Sequence, residues 1–284
     1  MTNYLPAFNF ATLNLASLIV VSALTSSPAL AANVTGGALI LNIDRNALIA
    51  GTSLDNYPDA PTPEFQICCR PSIYLEEFYD ASAASARTFV QIRDDNTPDL
   101  YDLINDEIPA AGLVFAVNGT SVPNPGGRAN QPTTFSFDPQ DIFGTASGGI
   151  GLGGVMRFRV DVSPPTNRVN VGDMTLEYHA DYVDNTIGRS GWLLVNHIGF
   201  EADAFELFDV TTNLTGDSLS LNGNLGFGWG FDHVGSWLGH ETNMRIGTFS
   251  FQTAVVPLPS AVWMFVSGLL GLLGGNVLKR KVTI

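Results

Sequence analysis

The segment Met156-Arg157-Phe158-Arg159-Val160-Asp161-Val162 alternates without a break. Met, Phe, Val and Val take one set of positions; Arg, Arg and Asp take the other. A strand sends successive side chains to opposite faces, so this order predicts a β-strand with one buried face and one wet face. Leu176-Glu177-Tyr178-His179-Ala180-Asp181-Tyr182 repeats the pattern. Further short apolar runs lie at 36–42, 113–117, 134–137, 192–199, 205–210, 219–225 and 245–251, with Gly, Asn, Asp and Pro between them. Short strands punctuated in this way predict an all-β chain, a β-sandwich or jelly roll built as a single domain. A helix is expected only at 72–88, where Ile73, Leu75 and Phe78 precede an Ala/Ser-rich tract, with a loop as the alternative. The glycine run Gly148–Gly154 precedes neither a helical pattern nor a Lys-Ser/Thr pair, so it reads as a flexible connection or a tight strand approach, not a phosphate loop.

Both ends of the chain depart from this pattern. Residues 1–31 hold no Lys, Arg, Asp or Glu, and Leu15–Leu24 is an apolar core of leader length. Ala29-Leu30-Ala31 fits the small-x-small rule, which predicts cleavage by a signal peptidase after Ala31, with retention as an anchor as the alternative. At the other end Ala261–Leu278 is uncharged, long enough for roughly 27 Å of helix and a thin bilayer core. Lys279, Arg280 and Lys281 follow directly and act as a membrane stop that stays on the cytoplasmic side, placing residues before 256 outside. Pro257 and Pro259 hold the approach extended.

Val256-Pro257-Leu258-Pro259-Ser260-Ala261-Val262-Trp263, the glycine-containing apolar run and the basic end together resemble a PEP-CTERM sorting signal of the VPLP type. The resemblance covers 256–281. It implies a Gram-negative bacterial surface protein, recognised by an exosortase and cut near Pro257-Leu258-Pro259. It also implies export linked to exopolysaccharide or biofilm matrix. The chain then divides into a signal peptide (1–31), a secreted β domain (32–255) and the sorting signal (256–281), which sits transiently in the inner membrane before the domain reaches the cell surface or medium.

All 27 acidic residues fall within 32–255, against ten bases, every one an arginine, which leaves the exported part near −17. Phosphate backbones would be repelled by such a surface, which argues against nucleic acid as a partner. The two cysteines, Cys68 and Cys69, are adjacent. Neighbouring Cα atoms stand about 3.8 Å apart, below the usual disulfide span, so a strained vicinal bridge, an intermolecular bridge and free thiols all remain open.

Three groups of residues carry the types that do chemistry. Glu201-Ala202-Asp203-Ala204-Phe205-Glu206 places Glu201 and Asp203 on one face of a regular strand and Glu206 on the other; a bulge at Ala204-Phe205 would bring all three together. The E-x-D-x-x-E spacing resembles the active strand of laminarinase-like retaining β-glucanases. That resemblance implies Glu201 as nucleophile, Asp203 as its helper and Glu206 as acid/base. A solvated strand face explains the same residues. Asp94, Asp95 and Asp99, with Asp102 and Asp106 nearby, are a candidate calcium loop; without an EF-hand glycine and a closing Glu, a plain acidic loop is the alternative. Asp138 with Asp141, and Asp181 with Asp184 and Asn185, are similar but sparser. His233 and His240, with Asp232 and Glu241, flank a Trp/Gly-rich segment whose Trp229, Phe231 and Trp237 would either stack on sugar rings or fill the core. The reading with most support is a non-enzymatic surface or matrix protein with no required cofactor; the alternatives are a secreted glycan hydrolase using Glu201 and Glu206, and a calcium-stabilised adhesion module.

Overall fold

The computed structural model describes residues 32–52, 73–95, 106–118, 124–160, 168–199, 201–215, 218–228 and 244–257. These all belong to one compact unit, Ala31–Pro257. The leader, the sorting signal from Leu258 onward, the cysteine pair and the His233/His240 segment lie outside the described residues.

The strands are β1 (Ala32–Ile43), β2 (Ile73–Asp80), β3 (Leu113–Val117), β4 (Ser136–Phe137), β5 (Gly149–Val160), β6 (Arg168–Gly172), β7 (Thr175–Tyr178), β8 (Arg189–Asn196), β9 (Ala202–Thr215), β10 (Ser218–Phe227) and β11 (Arg245–Pro257). Their hydrogen-bonded order runs β1-β3-β5-β7-β8-β9-β10-β11, every pair is antiparallel, and β11 returns to β1. The all-β expectation therefore holds, but the architecture is an eight-stranded antiparallel barrel and not a two-layered sandwich. The difference lies in one ladder. Ala32↔Pro257 through Ile43↔Gly247 joins the two ends of the described chain and leaves no open sheet edge there. Eight strands enclose a lumen that side chains can fill. Leu39, Phe115, Leu176, Leu194, Phe205 and Phe251 are fully or nearly fully buried members of that filling.

β5 serves two sheets. Its first half pairs with β3 and β7 in the barrel, and its second half pairs with β2 and β6 in a flanking three-stranded sheet. The change comes at Gly153-Gly154. Gly154 has φ +138, and a Cβ there would strike the Phe115 ring. The glycine run is thus a site of close strand approach, one of its two sequence readings.

Residues 73–80 form a strand where a helix was expected; only Ala81–Ser85 of that segment is helical (α2; α1 is Arg45–Thr52). Ile73, Tyr74, Phe78 and Tyr79 are β-branched or aromatic, and pairing with β5 overrides the local pattern. Asp80 caps α2 by accepting from the Ala83 amide at 2.8 Å. A capping box between Thr88 and Gln91 starts α3, Phe89–Asp94. A fourth short helix, α4, spans Ile142–Thr145.

These helices explain the second departure from the sequence pattern. Arg157 and Arg159 alternate correctly with the apolar residues of β5, yet both are 0% exposed. Their face is covered by α3, whose Ile92 carbonyl accepts from Arg157 Nη1 at 2.5 Å. Glu76, inserted as a bulge in β2 between Leu75 and Glu77, meets both guanidinium groups: Oε2 lies 3.0 Å from Arg157 Nε, and Oε1 2.5 Å from Arg159 Nη2. Arg157 also reaches the Tyr79 hydroxyl at 3.1 Å. An alternating strand identifies a polar face; whether that face meets water or a second layer is decided by what packs on it. Removing one member of a buried charge group strands the others, so Glu76→Gln is expected to lower stability by about 3–5 kcal/mol. Urea unfolding followed by tryptophan fluorescence checks this; a loss below about 1 kcal/mol would mean the cluster behaves as a surface pair.

Candidate functional site

The outer face of β7, β8 and β9 collects the polar residues that alternation turns away from the lumen. Cross-strand pairing sets Glu177, Leu193 and Glu206 in one row and Thr175, Val195 and Asp203 in the next. A register shift against Leu194 and Val195 leaves Ala204 as an extra residue in β9. Ala204 and Phe205 are both fully buried, and the bulge returns Asp203 and Glu206 to the same outer face. Glu201 lies just before β9, its side chain 77% exposed and Oε2 3.8 Å from His197 Nδ1.

His197 organises the hydrogen bonds at this end of the face. It is 7% exposed, and its Nε2 lies 2.9 Å from the Thr175 hydroxyl, which donates to Glu177 Oε1 at 2.7 Å. The other Glu177 oxygen is 3.1 Å from His179 Nε2. Two hollows meet at His197 and Glu201. One, of about 240 Å³, is walled by Gln131, Pro132 and Thr134; the other, of about 350 Å³, by Asn124, Gly127 and Arg128. Arg128 is itself fixed by a buried pair with Asp173, Nε to Oδ2 at 2.7 Å, which anchors the loop to the β6–β7 turn.

Burial dominates the electrostatics. It pushes the His197 imidazolium below its ordinary value, against the opposing pull of Glu201, Glu177 and Asp173. It also raises the Asp203 carboxyl; nearby His179 pulls the other way, and Glu177 and Glu201 add to the rise. Tyr182 is raised chiefly by the Asp203 charge, then by burial, with Glu206 a smaller contribution.

Of the three carboxylates singled out in the sequence, Asp203 and Glu206 share a face while Glu201 precedes the strand, and all three differ in state. Glu206 is 5% exposed and accepts from Arg189 Nε at 2.5 Å. Asp203 is half-buried, and Glu201 stands in solvent. A carboxylate committed to an arginine is poorly suited to deliver a proton, whereas the His197–Thr175–Glu177–His179 chain is the connected network of the face. Sequence reasoning missed Thr175, His197 and Arg189 as partners. The alternation in 176–182 marks Glu177 and His179 as outward, but no local signal says which strand lies beside them.

The other candidate acids are placed singly. Asp94 pairs with Arg93 at 2.7 Å, and that hydrogen bond lowers its carboxyl; Asp95 lies 3.4 Å from Arg87. Asp99 and Asp102 lie outside the described residues. Asp141 caps α4 through the Gly144 amide, and Asp184 accepts from the Thr186 amide, so both serve local turns. Among the described residues no group of three or more His, Cys, Asp and Glu side chains is arranged to hold a metal ion. Among the same residues no helix is long and apolar enough to cross a membrane; the run 261–278 lies outside them.

No family model and no curated protein matches the chain. A solved structure, the C-terminal domain of HtaA from Corynebacterium glutamicum, is similar at 8% identity and a TM-score of 0.37, over 79% of this chain and 99% of that one.

The buried histidine makes stability depend on pH. As pH falls through the ordinary histidine value of 6.5, the unfolded chain takes up a proton that folded His197 refuses, so stability is lost until the lower folded value is passed. His197→Gln should flatten the decline in the urea midpoint as pH falls below 6.5. Parallel wild-type and variant profiles would show that His197 titrates as if exposed.

Proposed function

We propose that the chain is an exported surface or matrix protein: a leader delivers it, an exosortase trims it at Pro257-Leu258-Pro259, and the barrel then works without catalysis in contact with extracellular polysaccharide. The observation that carries the reading is the order of the features: a charge-free leader ending at Ala29-Leu30-Ala31, a strand-rich domain, the VPLP motif, an apolar run of membrane length and a basic end. The pairing of the strand ends supports it. Ala32 and Pro257 are cross-strand partners, so both expected cut points lie beside the same rim of the barrel, and trimming at both leaves the closing ladder whole but for at most its Ala32↔Pro257 pair. The excess of acidic residues over arginine in 32–255 suits a protein that must remain soluble outside the cell.

A second reading is a retaining glycan hydrolase with Glu201 as nucleophile, Asp203 as its helper and Glu206 as acid/base; the bulge at Ala204, which turns Asp203 and Glu206 to one face, favours it. In that reading Glu201→Gln abolishes release of reducing sugar from β-glucan while the unfolding midpoint is unchanged. Equal sugar release from wild type and variant removes it.

Intact mass of the protein released by its native host tests the first reading. The expected species begins at Ala32 and ends between Val256 and Pro259, and it disappears when the exosortase is deleted. A species extending to Ile284 in both strains overturns the proposal.

A further inference from the structure

A broad groove lies away from the acidic face. It occupies about 830 Å³ over the outer side of β9, β10, β11 and β1, and none of the described residues lining it is charged. This is unexpected in a chain of net charge −14. The register builds it from rows that cross four strands. One row is Asn213, Ser220, Gln252 and Ala38; the next is Thr211, Asn222, Ser250 and Ile40. Four strands give each row a width of about 14 Å. Amide and hydroxyl side chains stand on β9, β10 and β11, and the residues shrink to Ala38 and Gly36 on β1, which opens the hollow on that side. A bulge between Val34 and Gly36 holds the floor. Gly37 has φ +119, a Cβ there would collide with the Gln252 carbonyl, and the Thr253 hydroxyl donates to the Gly36 carbonyl.

We propose that this groove binds an uncharged, polyhydroxylated polymer, a neutral polysaccharide. The lining decides the class. Each amide offers a donor and an acceptor, and each hydroxyl offers both, which matches the hydroxyls of a sugar ring. A hydrocarbon ligand would leave the amides of Asn213, Asn222 and Gln252 without partners. A polyanion is repelled by the acidic chain, and the groove offers no carboxylate to bridge it through a cation. Ala38 and Ile40 supply a small apolar floor for ring C–H groups. The volume falls in the upper part of the range for ligand sites, which suits several sugar rings and not one. The inference rests on the matrix reading for where the protein meets such a polymer.

Affinity electrophoresis of the full chain, kept soluble in mild detergent, tests it. Gels cast with dextran, galactomannan or hydroxyethylcellulose are the neutral probes, and alginate is the anionic one. The wild type is expected to be retarded by at least one neutral polymer and to run freely in alginate. Asn222→Ala combined with Gln252→Ala should weaken the retardation roughly tenfold, the effect of losing one or two net hydrogen bonds. Gln252→Glu, which adds charge without removing bulk, should do the same, and an unchanged unfolding midpoint shows that each variant is folded. Free migration in every neutral gel overturns the proposal. So does retardation that the variants keep, retardation by alginate, or a groove covered instead by a second copy, seen as a dimer in sedimentation that the variants dissociate. The two proposals fail separately. A protein that is trimmed and released but ignores neutral polymers overturns the groove alone; one that binds them but retains residues to Ile284 overturns the sorting alone.

Discussion

The ladder between β1 and β11 is the constraint on which the fold depends. It joins residues more than two hundred positions apart, Ala32 to Pro257. Without it β1 and β11 would each present a row of unpaired backbone groups to water or to another chain. With it the barrel closes and the inward residues of eight strands pack against one another. Such a ladder pays its loop-closure entropy late in folding, because its two strands cannot meet until those between them are arranged. The bulge at Thr35 and the positive φ of Gly37 are where this ladder departs from regularity, and the uncharged groove opens beside them.

A second layer sits outside the barrel on one side only. The far half of β5 leaves the barrel to pair with β2 and β6, and α2 and α3 close over the resulting sheet. Glu76, Arg157 and Arg159 hold this layer together. Burying charges is costly, and their mutual contacts offset that cost only while the geometry is kept. Arg128 with Asp173 repeats the device a short distance away, tying the 124–131 loop to the turn after β6. The arginines of this chain are thus divided between buried clusters and surface pairs such as Arg45 with Glu107 and Arg93 with Asp94. Among the described residues Arg128, Arg157 and Arg159 are buried, and so are three acids, Glu76, Asp173 and Glu206, so the interior takes equal numbers of both signs and leaves the acid excess on the surface.

The outer wall of the barrel is divided by charge. β7, β8 and the first half of β9 carry Glu177, Asp203 and Glu206 with two histidines and Arg189. The second half of β9, with β10, β11 and β1, carries serine, threonine, asparagine and glutamine. One strand, β9, crosses from one region to the other, and its two irregularities, at Ala204 and near Asp209, lie on the acidic side of the crossing.

Much of the strand content was legible in the sequence, because period-two alternation and turn residues are local signals. Those at 113–117, 205–210, 219–225 and 245–251 fall inside observed strands for that reason. The acidic triplet and the bulge that unites two of its members were legible too, since a bulge is a change of register within one strand. What local patterns do not carry is which strands become neighbours. That alone separates a barrel from a sandwich, turns Arg157 and Arg159 from a wet face into a buried one, and sets His197 beside Thr175. It also gathers Asn213, Ser220 and Gln252, dispersed over forty positions, into one row. The sequence by itself determined that the chain makes strands and which residues share a face of each. The tertiary structure decided what every face meets, because burial and pairing are set by contacts between distant segments and not by the order of residues within one.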